Sequence, residues 1–257
     1  MAELTAGDER YRDDRGDADP AVAAALAAYA AGTGGEHAVL VALAASRLLI
    51  PVVAVLADEP AGAAAVDGGR SRGPAGLPGG QASGAGGLPP QGEKASEVAM
   101  PSIIGRDGRP ALPAFTCLDA LRRWRPAARP VPVPAIGVWQ SAVAESSAVV
   151  IDIAGPVPLS IDGARLAAMA GGTAPAMHED PDVWQEVAAA AAAVAPGIRI
   201  RLGPAPDGLD FTLELAPPAG ASRPVPDLAA SQIAEAAMAR LAGRVRAGVT
   251  LIVQPPR

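Results

Sequence analysis

The spacing of apolar and polar positions changes several times along the chain, and each change marks a boundary between predicted elements. An Ala-rich run is entered through Asp19-Pro20, an N-cap residue followed by proline at the first helical position, and left through Gly32, so a helix is predicted over 21–31. Residues 38–56 are apolar almost throughout, but Ala- and Leu-rich sequence gives way near Pro51 to a Val-rich run. This predicts a helix from Glu36 to about Leu48 and a strand over 51–56. Strands over 98–104 and 109–115 flank Gly105-Arg106-Asp107-Gly108, whose Asp-Gly pair has hairpin-turn chemistry. Pro110 and Pro113 make the second of these an edge or irregular strand. Thr116 with Asp119 resembles a capping box, ahead of a helix with Leu118, Leu121 and Trp124 on one face. There follow a short extended piece over 131–134, a helix carrying Ile136, Trp139 and Val143, strands over 149–153 and 157–161, and a helix capped by Asp162.

A polar joint, 171–180, precedes a second pattern. Asp180-Pro181 starts a helix with Val183, Val187 and Val194 inward. Two alternating strands, 198–202 and 209–215, flank a Pro/Gly turn. A helix from Asp227 carries Ile233, Ala237, Leu241 and Val245 in a stripe, and a last strand runs over 249–253. The order helix-strand-strand-helix-strand allows one βαβ crossover between the second and third strands. The prediction is an α+β chain of two α/β sandwich domains with mixed sheets, at 20–172 and 180–257, behind an acidic, disordered tail at 1–19. Residues 58–92 hold eleven Gly and five Pro and almost no large apolar side chain, so the first domain is expected to be interrupted there by a long disordered loop.

Composition narrows the function classes. The 257 residues are half apolar, enough for a sizeable core, but only 3% aromatic, which leaves no stacking platform for single-stranded nucleic acid. The formal net charge is −6, of which the first nineteen residues supply most, with seven acids against three bases. The remainder is close to neutral and has no strong field to steer nucleic acid or an anionic membrane. Arg47 and Pro51 inside the apolar stretch 38–56 argue against a membrane span, the arginine alone costing about 2.5–3.5 kcal/mol on insertion. One cysteine, Cys117, and an acidic N-terminus without an apolar signal segment fit a cytoplasmic protein.

Recognisable catalytic chemistry is sparse. His37 and His178 stand apart from any metal-ligand spacing, and no nucleophile elbow, phosphate loop or dinucleotide fingerprint is present, so neither a metal nor a cofactor is expected. Cys117, at a predicted helix start, is the one candidate nucleophile. The densest charge group is Glu93, Lys94, Glu97, Arg106, Asp107 and Arg109, on the strand and turn of the predicted hairpin. Two arginines there suit a carboxylate or a phosphate, while the same charges also keep a strand edge soluble. Arg122, Arg123 and Arg125 beside Trp124, and Arg240, Arg244 and Arg246, read as exposed helix faces or helix C-termini.

The run EKASEVAMPSIIGRDGRPALPAFTCLDALRRWRPAARPVPVPA, residues 93–135, resembles the N-terminal domain of the SseB family, named for an enhanced-serine-sensitivity phenotype. AASRLLIPVVAVL before the Gly-rich loop and AGPVPLSIDGARLAAMA after it also resemble high-GC bacterial members, extending the likeness over about 37–172. The region after 180 is similar in layout to the family's C-terminal domain. The resemblance implies an intracellular α+β protein with some link to amino-acid metabolism, and brings no catalytic residue or cofactor with it. The expectation is a non-enzymatic binding or regulatory protein, acting on a protein partner or a small anionic metabolite, without nucleic acid or membrane. An enzyme using Cys117 and a structural, self-associating homo-oligomer are the alternatives.

Overall fold

The computed structural model describes residues 9–56, 96–99, 101–105, 108–206 and 208–256; the predicted loop at 58–92 lies outside them. Helix α1 (Pro20–Ala31) begins where its cap dictates, since the Asp19 carboxylate accepts the N–H groups of Ala21 and Val22. It ends at Gly32, whose left-handed backbone (φ 69°) returns its N–H to the last turn. Helix α2 (Glu36–Ala44) is shorter than the sequence predicts, and β1 (Arg47–Leu56) starts four residues before Pro51. The reason is burial on both faces. Leu48, Leu49 and Ile50 are each at most 1% exposed, so the strand shows no period-two alternation to separate it from the helix before it.

Strand β1 pairs antiparallel with β5 (Arg129–Pro134) along one side and with β2 (Ser96–Ala99) further on. The predicted strand over 98–104 is therefore two pieces, because β3 (Ile103–Ile104) joins β4 (Pro110–Ala114) instead. A four-stranded sheet follows in the order β3-β4-β6-β7, with β6 (Ala148–Ile151) parallel to β4 and β7 (Leu159–Ile161) antiparallel to β6. Strand β4 is thus an interior strand, contrary to what its prolines suggest. The amide of Phe115 bonds Leu49 in β1, so by alternation the nitrogen of Pro113 points to that same side. There it falls between the β3 pairing at Ala111 and the β1 bridge at Phe115, and the missing N–H removes no ladder bond.

Helices α3 (Leu118–Trp124), α4 (Ala135–Ala144) and α5 (Gly163–Ala170) complete this part of the chain. The capping box expected at Thr116 does not form. Cys117 is the N-cap of α3, and Thr116 turns to the buried Asp152, giving its N–H to Oδ1 (2.9 Å) and its hydroxyl to Oδ2 (2.6 Å). Burial raises the Asp152 carboxyl above its ordinary value, more than the two bonds from Thr116 lower it. A raised native value means that the folded protein holds the proton more tightly than the unfolded chain. Stability from this group is full below the ordinary carboxylate range and is lost as pH rises through the folded value. Asp152→Asn keeps an acceptor for the amide, gives Thr116 a donor and suits the positive φ of 47°. Its Tm is expected to exceed that of the parent at neutral pH, with the gap closing in acid; a lower Tm under both conditions would show that the charge itself is needed.

The C-terminal elements are α6 (Pro181–Val194), β8 (Arg199–Gly203), β9 (Phe211–Ala216), α7 (Asp227–Arg240) and β10 (Val249–Val253). The β8–β9 hairpin is antiparallel and β10 returns parallel to β9 after α7, which is the crossover the sequence allows. The apolar interior is divided accordingly. One cluster gathers buried residues from Val22 to Met169 around Trp139, and another those from Met177 to Leu241 around Phe211. A smaller third cluster packs Phe115 and Leu121 beneath Trp124. The two main clusters share no residue, and we call the parts they hold together the N- and C-terminal lobes. Residues 38–56 are divided between α2 and β1, and among the described residues no helix is long and apolar enough to cross a membrane.

Arg47 explains how the acidic leader meets this body. Its guanidinium bonds the Asp14 carboxylate and the carbonyls of Asp17 and Thr116, and Leu118 gives its N–H to Gly16. The bond from Arg47, with help from the Gly16 amide, holds the Asp14 carboxyl below its ordinary range against the opposing effect of burial.

Candidate functional site

The turn from β7 into α5 brings two chemically different places together. Asp162 occupies the N-cap position of α5, but its carboxylate caps nothing. Oδ2 instead accepts Arg109 Nη2 at 3.0 Å and Oδ1 accepts Arg165 Nη2 at 3.2 Å. The capping bond that Asp162 was expected to make comes from Asp182, in the first turn of α6, whose Oδ2 accepts the Ala164 N–H at 2.9 Å. Gly163 makes room for it: a Cβ there would stand 2.2 Å from that oxygen, and its φ of 58° also favours glycine.

On the outer side lies an open cleft of about 250 Å³, lined by Arg109, Asp162 and Gly163, by Ser146 and Ser147, and by apolar side chains that include Val143 and Leu166. Arg109 is 63% exposed, so Asp162 orients its guanidinium at the rim without burying it. Ser146 sits at a positive φ of 52° in the turn after α4 and is exposed.

On the inner side the charges are buried. Arg165 Nη1 bonds Glu36, and Nη2 also bonds the Ser160 carbonyl (2.6 Å). Glu36 begins α2, where the helix dipole favours a carboxylate, and accepts a fork from Arg244 Nε and Nη2. Arg244 Nη2 also reaches Asp180 Oδ2 at 2.7 Å, while Asp180 Oδ1 caps α6 through the Asp182 N–H. The Glu36, Asp180 and Arg165 side chains are 1%, 1% and 5% exposed. Desolvation works against the Arg244 charge, but the bonds and charges of Glu36 and Asp180 outweigh it and hold the guanidinium ionised. Arg109, Asp162, Arg165, Glu36, Arg244 and Asp180 thus form one chain of alternating sign from the cleft to the contact between lobes.

One further contact supports that junction. The Tyr29 hydroxyl donates to the Gly243 carbonyl at 2.5 Å, and burial with the nearby Glu36 charge raises its pKa, so it stays a donor. Asp210, buried in the C-terminal lobe, accepts three successive amides, Arg246, Ala247 and Gly248, on Oδ2.

Of the charged group read from the sequence, Arg109 is at the cleft. Glu97 lies on β2 opposite Val55 of β1, in a different sheet from the β4 that Arg109 precedes. Glu93, Lys94, Arg106 and Asp107 lie outside the described residues. Cys117 is half-buried at the head of α3. His37 is exposed and bonds the Pro175 carbonyl through Nδ1 (3.1 Å). Among the described residues no three His, Cys, Asp or Glu side chains are grouped to hold a metal ion.

Sequence reasoning missed the buried charges. The sequence presents Arg244 as an exposed helix face or helix C-terminus and Glu36 and Asp162 only as helix starts, and it singles out neither Arg165 nor Asp182. A signal existed in α5, where Arg165 is the lone charge among Ala, Leu and Met, but nothing local names its partner, 129 positions away.

No curated protein and no solved structure matches the chain. The family profile described as SseB protein N-terminal domain matches residues 22–168, from α1 through most of α5, and so takes in Glu36, Arg109, Asp162 and Arg165. That match spans more than half of the 257 residues, and the chain belongs to the SseB family.

Proposed function

We propose that the protein is a non-enzymatic, cytoplasmic binding or regulatory module that takes a small anion at the Arg109 cleft. The observation that carries the reading is the geometry of Arg109: its guanidinium is held by Asp162 at the rim of the cleft, exposed, and Ser146 and Ser147 are also in the lining. A guanidinium so placed suits a carboxylate or phosphate head, and the apolar lining from Val143 and Leu166 suits a short aliphatic body. A metabolite fits that description, including an amino acid or its keto acid. An acidic side chain of a protein partner offers the same head group.

Calorimetric titration with succinate, inorganic phosphate and a short Glu-rich peptide tests the reading. Binding of a free anion that weakens at least about tenfold in Arg109→Ala supports a metabolite. Binding of the peptide alone, with the same dependence on Arg109, moves the site to a protein partner. Anion binding indifferent to Arg109, or no binding by any probe, removes the assignment. The Cys117 alternative is tested by thiol labelling, since a catalytic thiol reacts faster than an ordinary one at neutral pH.

A further inference from the structure

The cleft and the lobe junction share a wall. Gly163 lines the cleft, and the carboxylate packed against it belongs to Asp182 of the C-terminal lobe. We propose that Asp182 is a built-in competitor: docking of the C-terminal lobe and occupation of the Arg109 cleft by an anion oppose one another. The inference rests on the anion reading above and gives it a regulatory consequence.

The sign follows from charge. With the lobes docked, Asp162 and Asp182 face the end of α5 together with Arg109 and the buried Arg165. An incoming anion meets Asp162 in the cleft lining and the charge of Asp182 behind Gly163. When the lobes part, Asp182 leaves with α6, the Ala164 amide opens at the helix N-terminus, and the site gains one unit of positive charge. The parted form therefore binds an anion more tightly, and a ligand with that preference shifts the population toward it.

The junction has the character of a two-state element. The two main apolar cores share no residue, and the named contacts across the junction are polar: Arg244 with Glu36, Asp182 with Ala164 and Tyr29 with Gly243. Contacts of this kind between separate cores permit relative motion of the lobes.

The test uses the full chain with succinate and inorganic phosphate as probes, in the parent and in Asp182→Asn, Asp182→Ser and Arg109→Ala, each first confirmed folded by circular dichroism. Both Asp182 variants are expected to bind the probe anion about tenfold more tightly than the parent, within the usual span of coupling effects. The probe is also expected to increase the radius of gyration of the parent in X-ray scattering, and to leave Arg109→Ala unchanged. If the parent binds through Arg109 and the Asp182 variants bind equally well, the competition is overturned while the site stands. If neither the parent nor the Asp182 variants bind either anion, both readings fall together.

Discussion

Arg244→Ala is expected to destabilise the protein by about 3–5 kcal/mol, because it leaves two carboxylates without the guanidinium between them. Glu36 and Asp180 are each 1% exposed at the side chain, so water cannot readily replace the lost partner. Glu36 keeps Arg165, and Asp180 keeps the Asp182 amide, which places the loss below that of a fully stranded pair of ions. For a chain of this size the change corresponds to roughly 10 °C in Tm. Differential scanning calorimetry measures it directly, and the transition is expected to split as the lobes cease to melt together. The combination Asp180→Asn and Arg244→Met separates lost attraction from stranded charge, since Asp180 loses its charge together with the guanidinium while Glu36 stays paired with Arg165. It should recover most of the stability. A loss below about 1 kcal/mol in Arg244→Ala would mean that the lobe junction relaxes and rehydrates, as an exposed ion pair does.

Asp210→Ala is the second large effect, expected at about 2–4 kcal/mol. One carboxylate oxygen gathers three amides at 2.8–3.0 Å and so fixes the turn from Arg246 to Gly248 that leads into β10. Each such bond to a charged acceptor contributes about 1.5–3 kcal/mol in isolation. The three share one acceptor, and water reaches part of the freed turn, so their sum is not realised. Because the turn sets the register of β10 on β9, hydrogen exchange is expected to quicken over residues 249–253 before the rest of the lobe. Asp210→Asn keeps the acceptor without its charge and should lose about half as much. Unchanged exchange in β10 would show that the parallel pairing holds without this anchor.

Much of the fold was legible because local chemistry and tertiary structure agree. Asp19-Pro20 and Asp180-Pro181 start helices at the expected residues, and the alternating strands of the C-terminal lobe pair as their turn chemistry directs. Legibility failed where a residue's partner is distant. Leu48 to Ile50 looked helical because burial on both faces erases the strand period, and Thr116 looked like a cap because Asp152 lies 36 residues away. The site followed the same rule. Arg109 is one of six charged residues that the sequence groups together over 93–109, but Asp162, Arg165 and Asp182 become one arrangement only when α5 meets α6. A sequence advertises caps, turns and periods, which are short-range properties; a buried ion pair leaves only an unpaired charge in an apolar stretch as its trace.

Pro113 shows how the reverse can hold, with an apparent violation of sheet rules serving topology. Proline is the one residue type that brings no amide hydrogen to a position where a strand leaves one neighbour and has not yet met the next. At that junction any other residue would carry a donor facing neither ladder, inside a buried part of the sheet. An imino acid in the middle of an interior strand therefore marks the seam between two sheets, and its place in a sequence can signal a change of partner as well as an edge.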